Sequence, residues 1–250
     1  MTYPTVKLGR WGPVVPRLIF GTEHIIHLPP EEGGALLDRA WRDYGLNHWD
    51  TAPAYASHPH VAAGLAQAGR EKVVVTSKVP EKSAEEARER VQQILSELGT
   101  NYLDICFMHN VKEDSFEAHR GALQYLRSAK EDGLIRHVGI SSHVPAILEK
   151  AAREEDIEIV CGTLNLDGSR IEGGTLEDMR RALAACSDAN KGVYVIKVLG
   201  VGDLVHRLED AIEFALCQPF VDAVNIGMSN LEEVRRNAEI VSKLMGESAE

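Results

Sequence analysis

The sequence predicts an α/β protein, because eight short apolar runs alternate with longer amphipathic segments along a chain of 250 residues. The apolar runs cover residues 17–21, 46–50, 72–77, 102–108, 135–140, 157–161, 193–196 and 223–226. Runs of this kind form buried parallel strands, and eight of them, each followed by a helix, favour a closed barrel over an open sheet. We therefore predict a TIM (β/α)8 barrel that forms one domain over residues 1–250.

Each helix is predicted by apolar residues that recur at helical spacing between two strands. The clearest example begins after Ser83, because Ser83 and Glu86 have the spacing of a capping box and one apolar face follows. A weaker pattern follows His60. The other predicted helices cover residues 31–44, 115–131, 145–154, 175–188, 203–217 and 230–244. Ahead of the first barrel strand, residues 6–17 predict a β-hairpin with its turn at 9–13, which would close the bottom of the barrel.

The composition argues against nucleic-acid and membrane partners. The chain has 38 acidic and 27 basic residues, for a formal charge of −11, and contains no long run of lysines or arginines. No apolar stretch approaches the roughly 18 residues of a membrane span, and the first residues lack the pattern of a secretory signal. The four cysteines have no C-x-x-C spacing, which indicates reduced thiols. We therefore expect a cytoplasmic protein, either a monomer or a small homo-oligomer.

Ionisable residues follow three successive predicted strands. The active site of a TIM barrel lies at the carboxyl ends of its strands, where Asp50, Lys78 and His109 stand. Tyr55 follows in the loop after Asp50. A phenol is a poor acid at neutral pH, but a nearby ammonium lowers its pKa, and a buried carboxylate can fix that ammonium in place. We expect Lys78, held by Asp50, to lower the pKa of Tyr55 and make it a proton donor.

A neutral His109 could hydrogen-bond a substrate carbonyl, but reducing that carbonyl also requires a hydride, which no side chain supplies. The site therefore implies a nicotinamide cofactor. Several segments support this interpretation, namely FGTEH, DTAPAY, VVTSKV, ICFMHNV, IRHVGISSH and IGMSNLEEVRRNA. Together with the order Asp50, Tyr55, Lys78, His109, they resemble the aldo-keto reductase superfamily along nearly the whole chain, as a short-loop member.

The resemblance implies a dinucleotide bound by the barrel without a Rossmann domain, and the chain contains no G-x-G-x-x-G. It implies that Tyr55 is the general acid in reduction and the base in oxidation, tuned by Lys78 and Asp50. It also implies that His109 orients the carbonyl. The implied cofactor-binding residues are Gly21, Thr22, Asp50, Ser141, Ser142, Cys161, Lys197, Leu199, Gly200, Gly227, Met228, Ser229, Glu233 and Asn237. The implied substrate pocket consists of His24, Tyr55, His109, Asn110 and His143.

The resemblance favours NADP(H) as the cofactor, but the basic residues that normally bind its 2′-phosphate are not evident. Gly227, Met228 and Glu233 stand where they are expected. Arg235 and Arg236 are nearby, and we expect the helical direction to point them away. NAD(H) is therefore a possible cofactor as well.

Two alternatives to a carbonyl-reducing enzyme stay open. Ser142 and Cys161 replace the asparagine and glutamine that usually hold the carboxamide, which is compatible with a nicotinamide-binding sensor or partner subunit of little turnover. The histidines of E-H-x-x-H (residues 23–27) and H-x-H (residues 58–60) could instead bind a metal in a TIM-barrel hydrolase. These histidines are not spread over several strand ends, so we predict that no metal is bound. The implied reaction predicts a small carbonyl compound as the substrate.

Overall fold

The computed structural model describes residues 3–112 and 115–247. Ahead of the barrel, β1 (Thr5–Lys7) and β2 (Val14–Pro16) form the antiparallel hairpin that the sequence predicts. Leu8, in the turn between them, is fully buried among side chains of the barrel interior. The hairpin therefore closes one end of the barrel, as predicted.

The barrel itself has eight strands, and each strand pairs in parallel with its neighbours. In chain order they are β3 (Leu18–Gly21), β4 (His48–Asp50), β5 (Val74–Val79), β6 (Leu103–Met108), β7 (Ile135–Ser142), β8 (Ile159–Thr163), β9 (Gly192–Ile196) and β10 (Ala223–Gly227). Consecutive strands are neighbours, and β10 pairs with β3 to complete the ring. This closed order confirms the predicted TIM barrel.

Two strands continue past the apolar runs that predict them. Strand β7 extends through Ser141 and Ser142, and β8 extends to Thr163. These polar residues stay in the ladder, where Ser141 pairs with Cys161. A search for apolar runs ends at the first polar residue, but backbone pairing continues through polar residues, so the strands are longer than predicted.

Eight α-helices cover the outside of the barrel within the described residues. They are α1 (Pro30–Tyr44), α2 (His58–Ala68), α3 (Ala84–Leu98), α4 (Arg120–Glu131), α5 (Pro145–Ala151), α6 (Leu176–Asp188), α7 (Leu208–Leu216) and α8 (Leu231–Glu247). Helix α3 begins where the capping signal predicts, since the Ser83 hydroxyl accepts the backbone N–H of Glu86 at 3.2 Å. Helices α4 and α7 begin later than predicted, after 3-10 turns at Glu117–His119 and Val205–Arg207. None of the described helices has the length and apolar character needed to cross a membrane.

Buried apolar side chains form two layers. The larger lies between the barrel and the helices and includes Trp49 of β4. The smaller fills the barrel interior with Leu8, Val15, Ile19, Ile105, Phe107, Ile159, Cys161, Tyr194 and Ala223. The interior also holds the charged side chains of Asp50 and Lys78, each 1% exposed. Since buried charges are costly unless paired, these two residues need each other for stability.

Candidate active site

Asp50 and Lys78 form a buried ion pair at the carboxyl end of the barrel. Asp50 is the last residue of β4, and the Lys78 ammonium contacts its Oδ1. Lys78 also donates a hydrogen bond to the Thr51 carbonyl at 2.9 Å. Burial disfavours the ammonium, but the Asp50 carboxylate outweighs that penalty and raises the pKa of Lys78 above its ordinary value. Lys78 is therefore a fixed positive charge.

Tyr55 lies over this ion pair, in a 3-10 turn (Pro53–Tyr55) that directly follows β4. The Lys78 ammonium is 4.6 Å from the centroid of the Tyr55 ring. Burial raises the pKa of Tyr55 more than Lys78 lowers it, so the net direction is upward. The expectation that Lys78 lowers this pKa overall is wrong, because removing a phenolate from water costs more than one nearby cation recovers. The phenol keeps its proton at neutral pH.

His109 follows β6 and stands edge-on to Tyr55, with 6.0 Å between ring centroids and 89° between ring planes. Its backbone N–H donates to the Val79 carbonyl at 2.9 Å, which fixes the start of the loop. Burial, and next the charge of Lys78, lower the pKa of His109 to about 3. The imidazole is therefore neutral at physiological pH and can donate an N–H to an oxygen. The structure brings together the four residues that the sequence predicts as catalytic.

A cleft begins at Tyr55 and Asp50 and extends to the first turns of α8. Predicted residues that line it are Gly21, His24, Asp50, Tyr55, Lys197, Leu199, Gly227, Ser229, Glu233 and Asn237. Residues that line it but were not predicted are Glu23, Ile196, Val198, Val201, Gly202, Val205, Leu208, Asn225, Ile226 and Arg236. A cleft that is lined both by Tyr55 at the barrel mouth and by the first turns of α8 can hold a ligand with two separate ends, such as a dinucleotide.

The loop after β9 forms one wall of the cleft in an unusual backbone conformation. Lys197 and Val201 have φ angles of 59° and 63°, and the φ angles of Gly200 and Gly202 are also positive, at 59° and 102°. A β-branched residue such as Val201 rarely adopts this conformation, and strain of this kind concentrates at functional sites. Lys197 also pairs with Glu23 across the cleft, at 3.5 Å. The strained backbone makes this loop a candidate part of the functional site.

Two largely buried asparagines present amide groups to the cleft that have no hydrogen-bond partner within the described residues. Asn225 of β10 is 8% exposed and Asn237 of α8 is 4% exposed. Both line the cleft, and neither side chain makes a hydrogen bond to any other part of the chain that the structure describes. Their free donors and acceptors fit a polar ligand in this cleft, as a nicotinamide dinucleotide would be.

Six of the predicted cofactor residues do not line the cleft, and most of them make contacts within the scaffold instead. The Thr22 hydroxyl donates to the Asp50 carbonyl at 2.9 Å. The Ser141 hydroxyl accepts the Asn110 N–H at 2.9 Å, and the Ser142 hydroxyl donates to the Val111 carbonyl at 2.8 Å. Cys161 lies in the barrel interior, and Met228 lies in the layer under the helices. Gly200 is buried within the loop after β9 and does not line the cleft.

The predicted substrate residues divide between two places. His24 lies in the cleft beside Gly227, whereas His109 and Asn110 border a second cavity between the loops after β5 and β6. Pro80, Lys82, Lys112, Ser115 and His119 complete this second cavity. His143 lines neither of them and shares a 2.6 Å hydrogen bond with the Thr163 hydroxyl. His109 thus stands between the cleft residue Tyr55 and the second cavity.

Beneath the ion pair lies a tyrosine that the sequence did not single out. The Tyr194 hydroxyl donates to Asp50 Oδ2 at 2.5 Å, so Asp50 accepts from Lys78 with one oxygen and from Tyr194 with the other. His48 packs edge-on against Tyr194 at 5.8 Å and shares a 2.8 Å hydrogen bond with Thr76. Burial, and next Lys78, lower the pKa of His48 to about 3, so this layer adds no charge. A tyrosine inside an apolar strand is a usable signal, because a buried hydroxyl needs a partner.

Replacement of Tyr194 by Phe is expected to lower the free energy of unfolding by about 1.5–3 kcal/mol, the usual range for a hydrogen bond to a charged group. Urea unfolding measures the change. Tyr102→Phe is the matched control, because the Tyr102 hydroxyl makes no hydrogen bond within the described residues while its ring stacks on Arg70 at 3.8 Å. Equal losses in the two variants would contradict the assigned contact.

Two histidines that suggested a metal have structural partners. His58 bonds Glu97 through Nδ1 at 2.6 Å and Ser77 through Nε2 at 3.1 Å. His60 bonds the Leu28 carbonyl at 2.9 Å. Over residues 3–112 and 115–247, no group of three or more His, Cys, Asp or Glu side chains is arranged to hold a metal ion. These contacts give His58 and His60 a role in packing α2 against its neighbours.

Comparison with curated proteins gives relatives that are oxidoreductases. A D-threo-aldose 1-dehydrogenase from a Pseudomonas species is 24% identical over 187 residues, which cover 60% of this chain and 56% of that protein. A methylglyoxal reductase from Salmonella typhimurium is 26% identical over 168 residues, which cover 66% of this chain and 59% of that protein. The chain thus spans a little over half the length of these two relatives.

Comparison with solved structures gives the same barrel. A Pseudomonas aeruginosa protein assigned to the aldo-keto reductases superposes with a TM-score of 0.83 at 26% identity, over 96% of both chains. An aldo-keto reductase from Bacillus halodurans, solved in its holo form, superposes with a TM-score of 0.81 over 96% of this chain and 91% of that one. At 19% identity, the second match shows the fold alone. The model of the aldo/keto reductase family matches residues 17–211, more than half of the chain, and the chain therefore belongs to that family of oxidoreductases.

Proposed function

We propose that this protein reduces an aldehyde or ketone to an alcohol, reversibly, with a nicotinamide dinucleotide in the cleft. The observation that carries the proposal is the position of Tyr55, a protonated phenol at the end of the cleft over the buried Asp50–Lys78 pair. The four cysteines are free thiols, which supports our proposal that the enzyme works in the reducing cytoplasm.

The residues present fit this reaction. A carbonyl oxygen between the Tyr55 hydroxyl and the neutral His109 accepts a hydrogen bond from each, which polarises the carbonyl. A bound reduced nicotinamide supplies the hydride for the carbonyl carbon. Tyr55 transfers its proton to the carbonyl oxygen, and the carbon–oxygen double bond of the substrate becomes the single bond of the alcohol. Lys78, held by Asp50, stabilises the phenolate that results, and the reverse sequence oxidises an alcohol.

The test combines binding and turnover. The protein is titrated with NADH and NADPH while tryptophan fluorescence is followed, and the oxidation of the reduced cofactor is then measured with methylglyoxal and an aldose. We expect saturable binding of at least one dinucleotide and aldehyde-dependent oxidation. Failure to bind either dinucleotide at millimolar concentration would overturn the proposal.

A second candidate is a nicotinamide-binding sensor or partner subunit with little turnover. It is favoured by the hydroxyls of Ser141 and Ser142, which bond the loop after β6, and by the buried thiol of Cys161, all at positions implied to hold the carboxamide. Saturable dinucleotide binding without turnover of any carbonyl probe would support this candidate over the enzyme.

The pH dependence of reduction is expected to be flat across the neutral range. Tyr55, whose pKa is raised above 10.0, keeps its proton until alkaline pH, and His109, with a pKa of about 3, becomes charged only in acid. Between about pH 5 and about pH 9, Tyr55 is therefore protonated and His109 is neutral, so both can donate a hydrogen bond. The value of kcat/KM, which reports the free enzyme, should vary less than about twofold over this range. A break in kcat/KM between about pH 6 and about pH 7 would contradict a neutral His109.

A further inference from the structure

The far end of the cleft indicates which dinucleotide this chain binds, an inference that rests on the proposed function. If the nicotinamide lies at Tyr55, where the proton donor is, the second nucleotide must lie at the other end. That end is formed by Ser229 and by residues of the first turns of α8, including Glu233 and Asn237. The amide of Asn237 lines the cleft and makes no hydrogen bond within the described residues, so it is available to a polar ligand.

Glu233 presents a fixed carboxylate at this end. Its Oε2 accepts the backbone N–H of Ser229 at 2.7 Å and the Ser229 hydroxyl at 3.0 Å. The backbone N–H of Glu233 donates to Asn230 Oδ1 at 3.0 Å, which holds the start of α8 in place. Oε1 accepts no hydrogen bond from the residues that the structure describes. One carboxylate oxygen is therefore anchored and the other is free to accept from a ligand.

The charge at this end is balanced. Arg236 also lines the cleft, so the helix does not point it away as expected. Its single positive charge and the single negative charge of Glu233 sum to zero, although the two side chains form no ion pair within the described residues. Arg235 pairs with Glu239 at 2.9 Å instead. Lys197, farther along the cleft, is paired with Glu23. The described residues at this end therefore provide no surplus of positive charge.

We infer that the chain prefers NADH to NADPH, and that Glu233 is the residue that discriminates. The two cofactors differ only at the adenosine ribose, where NADPH carries a 2′-phosphate with a charge of about −1.5 to −2 at neutral pH. Placed at Glu233, that phosphate meets a carboxylate. The ribose of NADH has hydroxyls there instead, and a hydroxyl can donate to the free Oε1. In Rossmann folds an acidic residue on the ribose hydroxyl likewise accompanies NAD, because a carboxylate accepts from a hydroxyl and repels a phosphate.

The test is the ratio of the NADPH and NADH dissociation constants, measured by fluorescence titration of the whole chain. We expect NADH to bind at least about tenfold more tightly than NADPH. Glu233→Gln keeps an oxygen that can accept from Ser229 but removes the charge, and is expected to reduce the ratio at least about fivefold. Glu232→Gln is the matched control, because Glu232 is the adjacent exposed carboxylate and does not line the cleft, and its ratio should stay within about twofold of the parent.

Equal or tighter binding of NADPH by the parent protein would overturn the inference, as would identical ratios in Glu233→Gln and Glu232→Gln. Either result leaves the proposed function standing, because a dinucleotide still binds. Failure of both dinucleotides to bind would instead overturn the proposed function itself.

Discussion

Replacement of Tyr55 by Phe is expected to lower kcat for carbonyl reduction by about 10²–10⁴-fold, the contribution of a well-placed general acid. The Phe ring can keep the contact with the Lys78 ammonium, which is 4.6 Å from the ring centroid, and the edge-on contact with His109. The variant loses only the hydroxyl and its proton. The geometry of the site should therefore be preserved while its chemistry is removed.

The measurement pairs steady-state reduction of methylglyoxal with a fluorescence titration of the reduced dinucleotide. Dinucleotide affinity is expected to stay within about threefold of the parent, because only the end of the Tyr55 side chain changes. Tyr125→Phe, on α4 and outside the cleft lining, is the matched control and should keep full activity. Loss of affinity as large as the loss of turnover would mean that Tyr55 positions the cofactor. Retained turnover would remove Tyr55 from the reaction.

The barrel strands were predictable because of where they lie. Strands buried on both faces must be apolar at nearly every position, so runs such as residues 223–226 stand out from the charged helices around them. Strand ends were less predictable, since β7 continues through Ser141 and Ser142, which bond the loop after β6. The start of α7 was missed because the residues before it form turns that line the cleft.

The site was only partly predictable, for a different reason. Asp50, Tyr55 and Lys78 lie close together in sequence, and the rule that chemistry gathers at strand ends finds them. Tyr194 is 144 residues from Asp50 and reaches it only because the barrel closes and both side chains enter its interior. The position of Asn225 in the cleft likewise cannot be predicted until β10 is paired with β3. Such contacts depend on closure, which no local pattern encodes.

The upward shift of the Tyr55 pKa depends on how deeply the side chain is buried, which the sequence does not reveal. Proximity to Lys78 could be inferred from two strand ends, but the depth of the phenol could not. Burial turns out to have the larger effect, and it raises the pKa. If Tyr55 is the proton donor that we propose, Lys78 stabilises its phenolate, and this effect offsets part of the rise in pKa that burial causes.

The largest effect on stability is expected at the ion pair below Tyr55. Asp50→Asn leaves the Lys78 ammonium buried without a counter-charge, and Lys78→Met leaves the Asp50 carboxylate with Tyr194 as its hydrogen-bond donor. Each single variant is expected to lower the free energy of unfolding by about 3–5 kcal/mol, the usual result of removing one partner of a buried pair.

The double variant Asp50→Asn/Lys78→Met should lose less than the sum of the single losses, with a coupling of about 1–3 kcal/mol, because no unpaired charge is left inside the barrel. Guanidinium unfolding of the four proteins gives this coupling directly. The same cycle on Arg39 and Asp43, an exposed i,i+4 pair on α1, is the control and should give a coupling of less than about 0.5 kcal/mol. Additive losses at Asp50 and Lys78 would show that each residue is stabilised by other groups. Carbonyl reduction should be impaired in all three barrel variants, including the re-stabilised double variant, because the cation that stabilises the Tyr55 phenolate is either displaced or absent.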